Sequence, residues 1–388
     1  MRKFSRQAQV LVLASTLVLA VSGCKSSSST GAAAGGGTVK VGFMGDLTGA
    51  NKQLGINIHN GAKLAFDQYN ATNPANKIEF TDYDTQGKAE QATAVAPKVI
   101  SDKMVAVIGP AFSGESKTAV PILEEGKIPN ISASATNALL SKNGWKFWHR
   151  VLANDDVQGP GAASFLVKNA GFKKIAVIDD QSEYGKGLAK AVSAGVTADG
   201  GTVAVTDSID PKADAWSSTV NKVKGANVDA IYFAGYYSAA APLVKQFKDA
   251  GVTATFASGD GTLDQAFITG AGAAAEGAIL TCTCVLATSS TDPAVSKFIS
   301  DYKAAFNGDP ATYSAEGFDA GTAIVKAVQA GKTSAVDINT FLATEDFKGV
   351  SKPIKWDAAG ELTGGGTYIH RVKGGKIEAL GNFQDAKL

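Results

Sequence analysis

The residue types that could do chemistry in this 388-residue chain form several partial enzyme signatures and complete none of them. Gly331-Lys332-Thr333 has the ending of a phosphate-cradling loop, but Lys326 stands where the upstream glycine of the turn belongs. Gly185-Lys186-Gly187 follows a strand-like run, as a dinucleotide fingerprint would, but Lys190 takes the third glycine position. Neither a G-x-S-x-G elbow nor an H-E-x-x-H pair occurs. The carboxylate pairs Asp155-Asp156 and Asp179-Asp180 fall on loops, where sequence neighbours serve as solvated or capping groups rather than as an acid–base couple. His59, His149 and His370 are scattered, so no metal centre and no cofactor is expected. Cys282 and Cys284 would point to one face of a strand, where they could close a strained extracytoplasmic disulfide or stay as two small apolar fillers.

What remains is a set of polar loops, and the elements between them say where those loops lie. Val39–Met44, Lys77–Tyr83, Met104–Ile108 and Ile128–Ser132 read as strands, alternating with helices over 62–69, 89–100 and 116–125. The pattern restarts with strands at Lys174–Ile178, Thr202–Val205, Val228–Ala234 and Ala254–Ala257, separated by helices over 185–197, 215–224 and 239–250. Two further helices, 294–306 and 318–330, precede a hairpin over 366–377 that turns at Gly374-Gly375. Two βαβ series imply an α/β fold of two doubly wound parallel-sheet lobes, with helices on both faces of each sheet. Ligands of such sheets bind beyond the carboxyl ends of the strands. The loops there are 45–55, 109–115, 132–137, 179–185, 234–238 and 258–263, and they are rich in Gly, Ser, Thr and Tyr. Backbone N–H groups and hydroxyls at helix N-termini can hold a carboxylate without an arginine.

The N-terminus carries an address. Arg2, Lys3 and Arg6 precede an apolar run from Val10 to Val21, short of the roughly 20 residues that span a bilayer. Val21-Ser22-Gly23-Cys24 resembles a bacterial lipobox, so residues 1–23 are expected to be a signal peptide and Cys24 the lipidated anchor. Residues 24–37 are nearly all Ser, Gly, Ala and Thr, a flexible tether. Taking Arg2, Lys3 and Arg6 from 37 basic residues leaves 34 against 36 acidic ones. This near-neutral balance argues against a nucleic-acid partner.

The loops also carry a resemblance. The stretches VGFMGDLTG (Val41–Gly49), GINIHNGAKLA (Gly55–Ala65), VIGPAFS (Val107–Ser113), ISASATN (Ile131–Asn137), RVLANDDVQGP (Arg150–Pro160), YGKGL (Tyr184–Leu188), YFAGYY (Tyr232–Tyr237) and Glu276-Gly277 recur in this order and spacing. In them the chain resembles the leucine/isoleucine/valine-binding proteins, of periplasmic-binding-protein fold type I. The resemblance implies two lobes joined by a three-strand hinge, 38–154 plus 285–362 and 155–284 plus 363–388, closing on a ligand by hinge motion. It implies that Ser113 holds the ligand α-carboxylate and that Ser134 and Thr136 bind carboxylate and ammonium. Asp260 would pair with the ammonium from the second lobe. Tyr184, Tyr236 and, by a weaker match, Tyr313 would wall the side-chain pocket, and Asp155 would lie in an inter-lobe segment. Three departures stand out: Leu54 replaces an aromatic residue before Gly55, Asp260 replaces a longer glutamate, and Ala111-Phe112 preclude the family's disulfide beside Ser113. The resemblance therefore implies no enzyme but a membrane-anchored extracytoplasmic receptor. It would be a monomer that delivers a branched-chain or similar aliphatic amino acid to an ABC permease. The alternatives are a binding protein for an amide, urea or aromatic acid, and a ligand-sensing module.

Overall fold

A computed structural model describes residues 37–288 and 290–388. The expected signal peptide, Cys24 and nearly all of the tether lie outside the described residues. No helix among the described residues is long and apolar enough to cross a membrane.

The first sheet is built from β1 (Thr38–Gly45), α1 (Lys52–Ala71), β2 (Lys77–Asp84), α2 (Ala89–Ser101), β3 (Ala106–Ile108), α3 (Ser113–Glu125), β4 (Asn130–Ser132) and β5 (Trp148–Arg150). Its strand order is β2-β1-β3-β4-β5, every pair parallel. The chain continues through α4 (Asp155–Ser164), β6 (Lys174–Asp179), α5 (Glu183–Ala198), β7 (Thr202–Ser208), α6 (Ser217–Ala226), β8 (Ala230–Ala234), α7 (Tyr237–Asp249), β9 (Thr255–Ser258), α8 (Gln265–Ala271) and β10 (Ile279–Cys282), whose strands form the second sheet. The chain then forms α9 (Pro293–Phe306), α10 (Ser314–Gln329), α11 (Ala335–Leu342) and a small hairpin of β11 (Asp346–Lys348) and β12 (Pro353–Lys355). It returns as β13 (Tyr368–Lys373) and β14 (Lys376–Asn382), an antiparallel edge on the second sheet, whose order is β14-β13-β10-β9-β8-β6-β7.

Burial follows from this layering. The central strands β3 and β8 are buried at every residue, as parallel strands covered by helices on both faces must be, and they read as uninterrupted apolar runs. Helix α10 returns to pack on α1, and two glycines permit the approach. A Cβ on Gly61 would stand 2.1 Å from the Ser314 carbonyl, and one on Gly317 2.3 Å from the Ile58 carbonyl. This contact fixes the start of α10, and with it Tyr313, against the first lobe.

Three expectations need correction. Asp155 and Asp156 lie not on a loop but in the first turn of α4, which Asn154 caps through a bond from the Asp156 N–H (2.9 Å). The helix escapes a propensity reading because Gly159, Pro160 and Gly161 break the pattern. The two glycines are there for packing, since a Cβ on either would lie 2.4 Å from Ala191 Cβ or 2.3 Å from Thr367 Oγ1. Helix α3 starts at Ser113 rather than at 116, and the C-terminal part holds three helices rather than two. The third, α11, buries only Ile338 and Leu342, too few for a visible stripe. Cys282 and Cys284 are both fully buried and disulfide-bonded, with Cα atoms 5.1 Å apart, where the chain leaves β10.

Candidate functional site

The strand order reverses beside β1 in the first sheet and beside β6 in the second, and both reversals open their carboxyl-end loops toward one seam. Contacts across that seam are direct. Asn137 Nδ2 donates to the Glu183 carbonyl at 2.7 Å, Lys117 Nζ pairs with Glu183 Oε2 at 2.8 Å, and the rings of Phe112 and Tyr236 lie 4.7 Å apart. The two sides are thus seen closed on each other.

On the first side, Ser113 opens α3, buried, and its Oγ accepts from the Asn137 N–H at 3.2 Å. The Ser134 hydroxyl donates to the Ala111 carbonyl, and Thr136 is fully buried with no partner for its hydroxyl. Arg150, at the end of β5, shapes this loop. Its guanidinium is fully buried, donates to the carbonyls of Ala135 (2.8 Å) and Asn137 (3.1 Å), and forks onto Glu361. Glu115 sits behind the loop, taking the Phe112 N–H at 2.7 Å and the Thr85 hydroxyl, and burial pushes its carboxyl up to about 8.

Asp260 joins the two sides. It is fully buried, and its Oδ1 accepts from the Tyr184 hydroxyl (2.6 Å) and Gln158 Nε2 (3.0 Å). Its Oδ2 accepts from the Tyr313 hydroxyl (2.7 Å), reaching over from the start of α10. Tyr313 holds a left-handed backbone, φ 68°, unusual for a side chain of this size. Burial raises the Asp260 carboxyl above the usual range, while its three donors work against that rise. Tyr236 fits between Phe112 and Tyr184, with its ring 5.1 Å from the latter.

Asp155 is the contrasting acid. It is 1 % exposed, it donates its N–H to the Thr136 carbonyl at 2.9 Å, and neither carboxylate oxygen has a hydrogen-bond partner. Burial, and next the Asp260 charge, push its carboxyl up to about 8, against the opposing pull of the nearby Thr136 hydroxyl and Arg150. The other acidic pair has a structural use. Asp179 accepts from the Gln181 N–H and the Ser208 hydroxyl, and Asp180 from the Ser182 N–H and hydroxyl and the Tyr236 N–H.

The seam therefore gathers all eight residues expected from the sequence: Ser113, Ser134, Thr136, Asp155, Tyr184, Tyr236, Asp260 and Tyr313. It adds Gln158, Arg150 and Phe112, to which sequence reading assigns no role. Arg150 and Gln158 fall within the RVLANDDVQGP stretch, but nothing in residue type separates a buried arginine or glutamine from a solvated one.

Beside Asp155 a cavity of about 220 Å³ opens among Asn137, Ala138, Asp155, Gly187 and Lys190. A Cβ on Gly187 would lie 2.7 Å from Asn137 Nδ2 and 3.1 Å from Asp155 Oδ2. Gly187→Ala is expected to weaken ligand binding about tenfold by obstructing closure, with the unfolding midpoint nearly unchanged because α5 tolerates alanine. Calorimetric titration alongside thermal unfolding checks this.

Comparison with known proteins follows the same outline. The sequence profile of the periplasmic binding protein family matches residues 38–376. A leucine-, isoleucine-, valine-, threonine- and alanine-binding protein of Pseudomonas aeruginosa is 30% identical over 329 residues, covering 84% of this chain and 87% of its own length. Among solved structures, a leucine binding protein from Thermotoga maritima superposes with a TM-score of 0.82 at 28% identity, over 88% of this chain and 97% of that one. A branched-chain amino acid transporter substrate binding protein from Streptococcus pneumoniae, in complex with isoleucine, gives 0.80 at 27%, over 89% and 99%.

Proposed function

The chain belongs to the periplasmic binding protein family, and on that premise we propose that it captures a branched-chain or similar aliphatic amino acid and delivers it to an ABC permease. The observation that carries this reading is Asp260, a fully buried acid at the seam, gripped by Tyr184 and Gln158 from one side and Tyr313 from the other. Such a charge is stable in a closed cleft only when donors or a cation meet it. An α-ammonium supplies the cation. The α-carboxylate goes to the Ser113 hydroxyl, whose proton is uncommitted, and to the free N–H groups in the first turn of α3, at the positive end of its dipole, with Ser134 beside them in the loop after β4. Phe112, Tyr184, Tyr236 and Tyr313 form an apolar wall for the side chain.

The lobes in this reading are 38–154 plus 285–362 and 155–284 plus 363–388, hinged where the chain crosses between them. Support comes from the pairing of β13 and β14 with the second sheet and from the packing of α10 on α1. The protein acts outside the cytoplasm as a monomer, held at the membrane through lipidated Cys24, and it performs no catalysis.

Thermal unfolding against a ligand panel tests the substrate class. Leucine, isoleucine or valine in large excess raises the midpoint through mass action, worth about 2.7 kcal/mol at 100 times Kd. Urea, acetamide and benzoate leave it unchanged. A shift with benzoate or an amide alone would contradict the reading. Cys24→Ser is expected to move the protein from the membrane to the soluble fraction with affinity unchanged, and retention at the membrane would count against the lipid anchor.

A further inference from the structure

The chain passes from the first sheet to the second after β5, leaves the second sheet after β10, and rejoins it at β13. The first two crossings lie side by side. Thr283, just past β10, is fully buried, and its hydroxyl donates to the Ala153 carbonyl, just past β5, at 2.8 Å. Two residues further from the second sheet on each crossing there is another link, and it is ionic. Glu316, in the first turn of α10, is fully buried, and its Oε1 accepts from the Val285 N–H at 2.9 Å and from Lys352 Nζ at 2.6 Å. Lys352 Nζ in turn lies 3.4 Å from the Val151 carbonyl. Glu316 thus holds the second crossing, Lys352 reaches the first, and the pair joins them.

The same turn of α10 faces the cleft. Tyr313 stands one turn before Glu316, the Gly317 N–H closes that turn on the Tyr313 carbonyl at 2.8 Å, and the Tyr313 hydroxyl meets Asp260 Oδ2 at 2.7 Å. The left-handed backbone of Tyr313, φ 68°, is costly for a large side chain and persists only where the surroundings fix it. A buried ion pair is often no more stabilising than apolar residues of the same volume, so its use here calls for a role beyond stability. We propose that Glu316 and Lys352 are positioning residues for closure: by tying both crossings to the first turn of α10, they place the Tyr313 hydroxyl on Asp260 when the two sides come together. The hinge and the closing contact are then one mechanical unit, with α10 as its lever. This inference rests on the amino-acid reading of the cleft.

The test is a mutant cycle on the full chain, read by calorimetric titration with L-leucine. One arm is the charge-free pair, Glu316→Gln with Lys352→Met. Glutamine keeps an acceptor for the Val285 N–H and methionine fills the space of the lysine stem, so both charges leave together, and the thermal unfolding midpoint is the control for folding. The other arm is Tyr313→Phe, which removes only the hydroxyl. Tyr313→Phe is expected to weaken binding about 30-fold, the scale of a hydrogen bond to a buried charge, and the charge-free pair about tenfold. Combined, they weaken it no more than about threefold beyond Tyr313→Phe alone, because the pair acts through that hydroxyl. Ser113→Ala, on the far side of the ligand, multiplies in full with the charge-free pair, and Lys352→Arg, which keeps the cation, stays within about threefold of wild type. If the charge-free pair does not fold, Glu316→Gln alone carries the same cycle. Losses that multiply in full with Tyr313→Phe, or wild-type affinity in the folded charge-free variant, overturn the positioning role and leave the amino-acid reading standing. A folded wild type that binds no amino acid overturns both.

Discussion

Asp260→Ala is expected to weaken amino-acid binding by about 100- to 1,000-fold, the largest functional effect of any single change in the cleft. Three donors converge on this carboxylate: the hydroxyls of Tyr184 and Tyr313 and the amide of Gln158. Removing it leaves the two tyrosine hydroxyls without an acceptor, at about 1–3 kcal/mol for each group left unsatisfied, while the Gln158 amide keeps the Thr281 carbonyl at 3.3 Å. The ligand ammonium loses a buried counter-charge at the same step. The loss falls mainly on closure, because Tyr313 comes from the start of α10 and meets Asp260 only when the two sides are together. Thermal unfolding of ligand-free protein should therefore change far less than affinity does. Asp260→Asn keeps one acceptor for the tyrosines and should lie between alanine and wild type. Titration of both variants with leucine, isoleucine and valine measures the effect, and wild-type affinity in the alanine variant would remove Asp260 from the account.

Arg150→Met carries the largest expected cost in stability, about 3–5 kcal/mol, the range for breaking one side of a buried ion pair. The guanidinium is fully buried between Glu361 and the carbonyls of Ala135 and Asn137, and methionine satisfies none of them. The binding loop through Ser134 and Thr136 loses its internal brace, so affinity should fall as well. The pH dependence has a definite sign. Burial alone would raise the Glu361 carboxyl, but its hydrogen bonds from Arg150 and the Arg150 charge outweigh burial and hold it below the usual glutamate range. A carboxyl depressed in the folded state stabilises the protein above its unfolded pKa and loses that contribution as pH falls through the folded value. The stability gap between wild type and Arg150→Met should thus be full at neutral pH and shrink once the pH drops below the ordinary glutamate range. Urea unfolding of both proteins at neutral and strongly acidic pH reads the gap directly, and a gap that grows in acid would contradict the pairing.

The legible parts of this protein and the hidden ones differ for physical reasons. The runs at β3 and β8 are buried on both faces and so are apolar without interruption, which makes a doubly wound α/β fold readable from pattern alone. Helix α4 is hidden because close contacts with Ala191 and Thr367 demand glycine at 159 and 161, and those glycines erase the helical signature. The positions of Ser113, Thr136, Tyr184 and Asp260 are visible through family resemblance, since loop motifs keep their order. Their partnerships are not visible. Tyr313 and Asp260 are 53 residues apart, and only the return of α10 onto α1 brings the hydroxyl to the carboxylate. Residue type alone also says nothing of the difference between Asp260, which is saturated with donors, and Asp155, which is bare. That difference arises from the seam between two sheets, where donors from both sides converge on Asp260 and none reaches the Asp155 oxygens. The Cys282–Cys284 pair marks a similar limit. A shared strand face permits a disulfide but does not require one, and the bond appears only in the folded geometry.

The most direct test of the central claim is isothermal titration of wild-type protein, freed of carried-over ligand by unfolding and refolding, with the twenty amino acids and with urea, acetamide and benzoate. Saturable binding of leucine, isoleucine or valine, at one site per chain and without competition from benzoate, is the predicted result. Binding of benzoate or an amide alone, with none of the amino acids, would contradict it.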